Sequence, residues 1–532
     1  MTHMMRVRSL GLAGVLLVTP VTVSGQPSTT EKLGSVHFPV ACKPAVQAEF
    51  ARAVAALHSF WFDTARKAFE GVATADPGCG MAYWGIAMTM LGNPLANPPR
   101  PKALQEGWAS VEKARGAGAR TPREREYIDA IAVFYKDADK TDHRVRALAY
   151  EKAMERLAAR YPEDREASIF YALALNMTLV PTDKTYANQL KAASVLEKVF
   201  AEQPHHPGVA HYLIHSYDFP PLAPKGLDAA RRYAAIAPSA PHALHMPSHI
   251  FTRLGYWPES VDTNRASAAV AKDHGNWLHA VDYLTYGHLQ MAQDGDAKRA
   301  LDSVHALGLP NNEYIGSAYA LAAVPARYAL ERRRWSEAAA LNLHPQEFPW
   351  NRWPMAEAVN AYARGIGAAR SSDAGGAFRE ADRLAALRDA LTTAKQDYWA
   401  GQADIQRLAV LAWATRVDGR PEEGLAMMLK AVDLDDKAEK HPVTPGPIVP
   451  PRELLGDMLL DMGQPARALQ AFEASLRTEP NRFHSVAGAA RAAELAGDSR
   501  VARQHYTRLL TIAANPDGDR PELRQARAFL GQ

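Results

Sequence analysis

The sequence predicts an all-α protein in which antiparallel helix pairs stack into a superhelical solenoid. Hydrophobic residues recur at helical spacing and few runs alternate as strands do. A set of small, aromatic and proline residues also returns every 34 residues. At 532 residues, the chain is longer than one compact core usually spans. A stack of units can extend to this length because each unit buries its apolar face against its neighbours.

The beginning of the chain has the layout of a secretory signal peptide, predicted to span residues 1–25. Arg6 and Arg8 precede a short apolar run (9–23), and small residues follow it. The run is too short for a comfortable membrane span, and we predict no membrane span elsewhere. We therefore expect a protein that is periplasmic or secreted after cleavage of the signal peptide.

The two cysteines, Cys42 and Cys79, are the only ones in the chain. Because exported proteins fold in an oxidising compartment, we predict a disulfide between them. Two unpaired buried thiols are the alternative. The sequence has no C-x-x-C motif, so we expect such a bridge to be structural and not redox-active.

The repeat is clearest near the C-terminus, where small residues and an aromatic precede a proline. The residues in the segment 452–480 are Leu455, Gly456, Gly463, Ala468, Phe472 and Pro480. Thirty-four residues later, the same slots hold Ala490, Gly497, Ala502 and Tyr506. The same mutual distances separate Ala65, Phe69 and Pro77, and again Ala192, Leu196 and Pro204. Small residues let two helices approach, the aromatic fills the gap, and proline ends the second helix.

This pattern resembles the tetratricopeptide-repeat (TPR) superfamily over most of the chain. The stretches HMPSHIFTRLGYW and KHPVTPGPIVPPRELLG look like those of an exported bacterial branch of it. The resemblance implies a solenoid whose first helices line a concave groove. It also implies that a peptide or protein partner binds in this groove.

Four segments are predicted after the signal peptide. We expect a TPR-like solenoid with a histidine-lined groove at 36–335 and helical, degenerate repeats at 336–440. A proline-rich linker at 441–451 then precedes C-terminal TPR units at 452–532. The linker is interpreted as a stiff spacer. The alternative is that it crosses the groove and brings His441 toward the other histidines.

A set of histidines follows the same 34-residue period. His245 lies 34 residues after His211, and His279 lies 34 residues after His245. In a second slot, four residues along, His249 lies 34 residues after His215. The candidate metal ligands are His211, His215, His245, His249, His242 and His279. Counted along a unit, they fall within a narrow arc of its first helix, which predicts that they face the groove.

Histidines at i and i+4 can chelate one ion from one helix face, and neighbouring helices are close enough to share it. An all-imidazole set suits a transition metal such as zinc, copper or iron. Asp218 and Asp282 are candidates for extra ligands or for partners of the ligands. The alternative is that duplicated units carry their histidines without using them, or that the histidines contact a peptide. Pro247 also threatens the i, i+4 geometry.

These observations predict an exported TPR solenoid that binds a partner in its groove and holds a histidine-ligated transition metal. The alternative is a metal-dependent enzyme, oxidative or hydrolytic, that uses the same histidines. The chain has 61 basic and 58 acidic residues, a balance that gives no basis for nucleic-acid binding.

Overall fold

The computed structural model describes residues 1–2, 31–96, 98–311 and 313–532. The predicted signal peptide therefore lies outside the described residues, apart from its first two, and it stays a prediction. In the described ranges the ordered elements are helices, and none of those residues forms a β-strand. The all-α prediction is confirmed.

The first half of the chain folds into helices joined by short loops. Their bounds are α1 (Gln47–His58), α2 (Phe62–Ala75), α3 (Gly80–Thr89), α4 (Pro101–Ala117), α5 (Pro122–Tyr135), α6 (His143–Arg160), α7 (Arg165–Met177), α8 (Ala187–Glu202), α9 (Pro207–Tyr217), α10 (Leu227–Ile236), α11 (Pro241–His245), α12 (Pro247–Leu254) and α13 (Trp257–Val270). Proline occupies the first turn of α9, α11 and α12, where a helix needs no N–H from it.

The second half continues in the same way. Its helices are α14 (His274–Gln290), α15 (Asp294–Leu307), α16 (Ile315–Glu331), α17 (Trp335–Ala339), α18 (Pro354–Arg370), α19 (Ala374–Thr393), α20 (Asp397–Val417), α21 (Pro421–Lys437), α22 (Pro451–Asp461), α23 (Pro465–Thr478), α24 (Phe483–Leu495), α25 (Ser499–Ile512) and α26 (Pro521–Leu530). Short 3₁₀ turns cover Pro44–Val46, Ala223–Gly226 and Trp350–Arg352. Each helix packs chiefly on the next one, which makes a TPR-like solenoid.

The small and aromatic residues of the repeat pack against each other, as predicted. The ring of Phe472 on α23 lies between Gly456 on α22 and Gly488 on α24. A β-carbon added at either glycine would meet this ring at 2.6 and 2.4 Å, respectively. Near the other end, a β-carbon at Gly85 would lie 2.4 Å from the ring of Phe69. Glycine is needed at these slots because the aromatic ring fills the space between paired helices.

Two large hydrophobic clusters stabilise the solenoid. One is built from residues of 33–251 and the other from residues of 278–526. A small third cluster, around Trp257 and Tyr286, lies between them. The region where the large clusters meet is formed by α9 to α14, which carry the candidate histidines.

The proline-rich segment between α21 and α22 contacts helices far away in the sequence. The Tyr283 hydroxyl donates to the Thr444 carbonyl oxygen at 3.2 Å. Arg327 donates to the carbonyl oxygens of Gly446 and Pro447 at 2.8 and 3.0 Å. The segment is therefore held against α14 and α16 by hydrogen bonds.

Cys42 and Cys79 form a disulfide, with their Cα atoms 5.1 Å apart. The bond joins the segment that enters α1 to the start of α3. Across the part of the chain that the structure describes, no helix has the length and apolar character needed to cross a membrane.

Candidate metal centre

Helices α9, α11, α12 and α14 bring all the predicted histidines together, in two adjacent triads. The first triad is His211, His215 and His242, and the second triad is His245, His249 and His279. Within each triad, one nitrogen from every ring lies within 4.8 Å of the others. Between the triads, the His215 and His249 ring centroids are 5.7 Å apart.

The proline within this stretch does not separate the ligands. Helix α11 ends at His245 and α12 begins at Pro247, but Met246 between them keeps helical dihedral angles of φ −53° and ψ −36°. The chain thus keeps helical dihedral angles between α11 and α12. The Nε2 atoms of His245 and His249 lie 3.0 Å apart, so both rings point at the same place.

In the first triad, the main chain fixes the orientation of one ring. His211 Nδ1–H donates to the His58 carbonyl oxygen at 2.6 Å. Its Nε2 therefore carries a lone pair. This Nε2 lies 3.1 Å from the Nε2 atoms of both His215 and His242.

In the second triad, two rings are oriented in the same way. His245 Nδ1–H donates to Asn264 Oδ1 at 2.6 Å, while the amide nitrogen of Asn264 is engaged with the Ser260 carbonyl oxygen. His249 Nδ1–H donates to Asp218 Oδ2 at 2.8 Å. In these neutral tautomers, both Nε2 atoms present lone pairs to each other at 3.0 Å. Two facing lone pairs repel, and a cation between them removes the repulsion.

Burial keeps all six imidazoles neutral and ready to act as ligands. Desolvation is the main cause that lowers the pKa of each ring, and the neighbouring histidines lower it further for most of them. His211, His245 and His249 are at most 2% exposed. His215 and His279 are 6% and 9% exposed, and His242 is half-buried, so this side of the cluster is the more open one.

Of the two predicted carboxylates, one supports a ligand and the other does not. Burial raises the pKa of Asp218, but the charges of Lys440 and Arg253 outweigh it and hold this pKa well below its usual range. Asp218 is thus an ionised acceptor for His249. Asp282 instead accepts from Arg327 Nε at 2.9 Å and belongs to neither triad.

The structure adds groups that sequence reasoning missed. The Tyr283 hydroxyl lies 3.4 Å from His249 Nε2. The repeat could have revealed it, because Tyr283 lies 34 residues after His249. Asn264 and Lys440 gave no such signal, since neither shares a slot with a histidine.

A third buried group lies behind the first triad. Glu166 accepts from His58 Nε2 at 2.8 Å and from His206 Nε2 at 2.7 Å. The two histidines outweigh its burial and lower the pKa of Glu166 to about 2. Both carboxylate oxygens are occupied, so this group is a hydrogen-bond network that holds α1, and with it the His58 carbonyl group, in place.

His441 lies outside both triads. Its Nε2 donates to the Ala96 carbonyl oxygen at 3.1 Å, and its Nδ1 accepts from the Val443 N–H at 3.2 Å. The residue before it, Lys440, is the one that reaches the centre, through Asp218 at 2.6 Å.

The chain was compared with protein-family models, curated proteins and solved structures. No family model and no curated protein matches the chain. Among solved structures, a human IFIT1 dimer with m7Gppp-AAAA is similar at 11% identity, with a TM-score of 0.34. The match covers 82% of this chain and 90% of that one. By its own structure, the molecule is a TPR-like α-solenoid with two adjacent histidine triads.

Proposed function

We propose that this protein holds two transition-metal ions, one on each triad, and that the pair forms a dinuclear oxidative centre. The observation that carries the proposal is the pair of facing Nε2 lone pairs of His245 and His249. Ligands bound to one ion at about 2.0 Å lie about 3.3 Å apart in tetrahedral geometry. The observed separations of 3.0 and 3.1 Å are close to this value.

Copper fits the donor set best among zinc, copper and iron. Neither triad contains a carboxylate, so two divalent ions would add four positive charges without a compensating ligand. The nearest carboxylate, Asp218, already pairs with Lys440 and Arg253. Two cuprous ions add half that charge, and imidazole nitrogen is a good ligand for copper in either oxidation state.

Three protein ligands leave a coordination position free on each ion. Copper held by both triads would supply two-electron chemistry with dioxygen, which makes an oxidative enzyme the best functional assignment. A hydrolytic enzyme would gain more from zinc with a carboxylate nearby as base. Partner binding in a groove is the weaker hypothesis, because these rings face each other in a buried cluster.

Metal loading of the purified protein tests the proposal. The chain is loaded anaerobically with copper, zinc or iron, desalted, and its metal content measured. We expect about two equivalents of copper in the wild type and about one in His215→Ala and in His279→Ala. The matched control is His37→Gln, an exposed histidine outside the cluster, which should keep both.

Two further readouts decide the chemistry. After reduction, exposure to air should change the visible absorption only when both triads are intact. Oxidised copper should then show a weakened paramagnetic signal, because neighbouring ions couple. Full metal content in both alanine variants would overturn the metal site. Two equivalents of zinc with no uptake of copper would overturn the oxidative assignment.

We also propose that the protein works in the periplasm or outside the cell. The N-terminal layout and the disulfide between Cys42 and Cys79 support this location. N-terminal sequencing of the protein from cell fractions tests it. Recovery of the full, uncleaved chain from the cytoplasm would contradict it.

A further inference from the structure

A second candidate site is a cavity lined in part by the proline-rich segment. Its volume is about 360 Å³, a size typical of small-molecule sites. Five aromatic side chains contribute to its wall: Tyr186, Tyr319, Tyr362, Tyr398 and Trp399. The hydroxyls of Tyr362 and Tyr398 are engaged, with the Val449 carbonyl oxygen and the His441 N–H. What these residues offer to the cavity is therefore mainly ring surface.

Every cation on this wall has a carboxylate partner. Lys184 pairs with Glu439 at 2.7 Å, and Arg452 donates from Nε to Asp436 at 3.0 Å. Arg253 and Lys440 both bind Asp218, at 3.0 and 2.6 Å. An anionic ligand would have to compete with these ion pairs.

Two carboxylates on the wall have no such partner. Glu479 is only 7% exposed, yet within the described residues no hydrogen bond or ion pair reaches its side chain. The Asp435 side chain is half-buried and, within the described residues, also has no hydrogen bond or ion pair; burial and the charge of Glu479 raise its pKa. Four cations lie near Glu479 without contacting it: Arg253, Lys440, Arg482 and Arg327. Each is already bonded to another carboxylate.

A buried carboxylate without a partner costs stability, which a bound cation would restore. Aromatic faces add attraction for a cation and cover its apolar body. We propose that this cavity binds a small organic ammonium ion with an apolar or aromatic body, held by Glu479 and Asp435. This proposal does not depend on the metal centre.

Calorimetric titration of the full chain tests the cavity with three probes of similar shape. These are 2-phenylethylammonium, the neutral 2-phenylethanol and the anion phenylacetate. At pH 8 we expect the ammonium ion to bind at least about 10-fold more tightly than the other two. Glu479→Gln should weaken the ammonium ion about 10-fold and leave 2-phenylethanol unchanged.

The matched control is Asp433→Asn, an exposed carboxylate on the same helix that does not line the cavity. It should change the affinity less than about two-fold. Glu479→Gln removes an unpaired charge, so folding is not at risk, and Asp435→Asn serves as a second variant. Equal affinity for the three probes, tighter binding of phenylacetate, no measurable binding of the ammonium ion, or no effect of Glu479→Gln would each overturn the proposal.

Discussion

At the residue scale, the centre depends on side chains that fix the histidine tautomers. His245 can offer Nε2 to a metal only because Asn264 accepts its Nδ1–H. Asn264 is fully buried and is held in turn by the Ser260 carbonyl oxygen. Such outer partners tune metal affinity almost as strongly as the ligands do.

Asn264→Ala should therefore weaken metal binding at the second triad by about 10-fold, with the first triad unaffected. Without its acceptor, the His245 ring is free to turn away or to change tautomer. Competition with a chelator of known affinity measures both sites. The exposed neighbour Arg265→Ala is the control, and it should leave both affinities unchanged. Equal weakening at both triads would show a general loss of structure instead.

At the same scale, a carboxylate of the cavity should make the stability of the protein depend on pH. Burial, followed by the charges of Glu479 and Asp436, raises the pKa of Asp435 to about 7, against the opposing charges of Arg452 and Lys184. An acid with a raised pKa in the folded state stabilises the fold below its unfolded pKa, and this contribution is lost as pH rises through about 7.

Asp435→Asn should thus stabilise the protein more at pH 8 than at pH 5, by about 1 kcal/mol. Urea unfolding at the two pH values measures this. The same carboxylate must be ionised to attract a cation, so ammonium binding should strengthen between pH 6 and pH 8 in the wild type. A pH-independent affinity would remove Asp435 from the site.

At the element scale, the solenoid depends on glycines that let helices approach. Gly456→Ala should destabilise the protein by about 2 kcal/mol, because its β-carbon would meet the Phe472 ring at 2.6 Å. Gly401→Ala is the matched control, since no atom lies within 4 Å of its added β-carbon and it is in the exposed part of α20. That change should stabilise by about 1 kcal/mol. Equal effects in urea unfolding would contradict this account.

The proline-rich segment depends on one buried cation. Arg327 bonds Asp282, Thr444 Oγ1 and the Gly446 carbonyl oxygen. Arg327→Gln should cost about 3 kcal/mol, because it leaves the carboxylate of Asp282 buried without a partner. Adding Asp282→Asn should restore part of this loss in urea unfolding, whereas a purely additive double variant would place the importance of Arg327 elsewhere.

Much of the arrangement of the helices was predictable from the sequence. The 34-residue period indicates paired helices, and it also puts the histidines in equivalent slots, so their convergence follows from stacking. Their division into two triads does not follow. It depends on how far α11 and α14 rotate against α9, and on how the chain passes Pro247. Lys440 and Arg327 act through contacts more than 100 residues away in the sequence, which no local pattern records.

At the scale of the whole molecule, the proposed metal centre lies where the two large hydrophobic clusters meet. The first triad uses α9 and α11, which belong to the cluster of residues 33–251. The second triad adds His279 from α14, whose neighbours Leu278 and Val281 belong to the cluster of residues 278–526. An ion on the second triad therefore links the two clusters, whereas an ion on the first triad does not.

This difference predicts how metal changes unfolding. An ion that binds only the native state stabilises it by about 2.7 kcal/mol at 100 times its dissociation constant. The apo protein should unfold in two steps in urea, one for each cluster, and copper should merge them into one.

In His279→Ala, copper should raise only the midpoint of the N-terminal step, while His37→Gln should behave as the wild type. Circular dichroism and tryptophan fluorescence, followed together, detect both steps because each cluster contains buried tryptophan, Trp84 in the first and Trp413 in the second. Merging of the two steps by copper in His279→Ala as well would mean that the second triad does not couple the clusters.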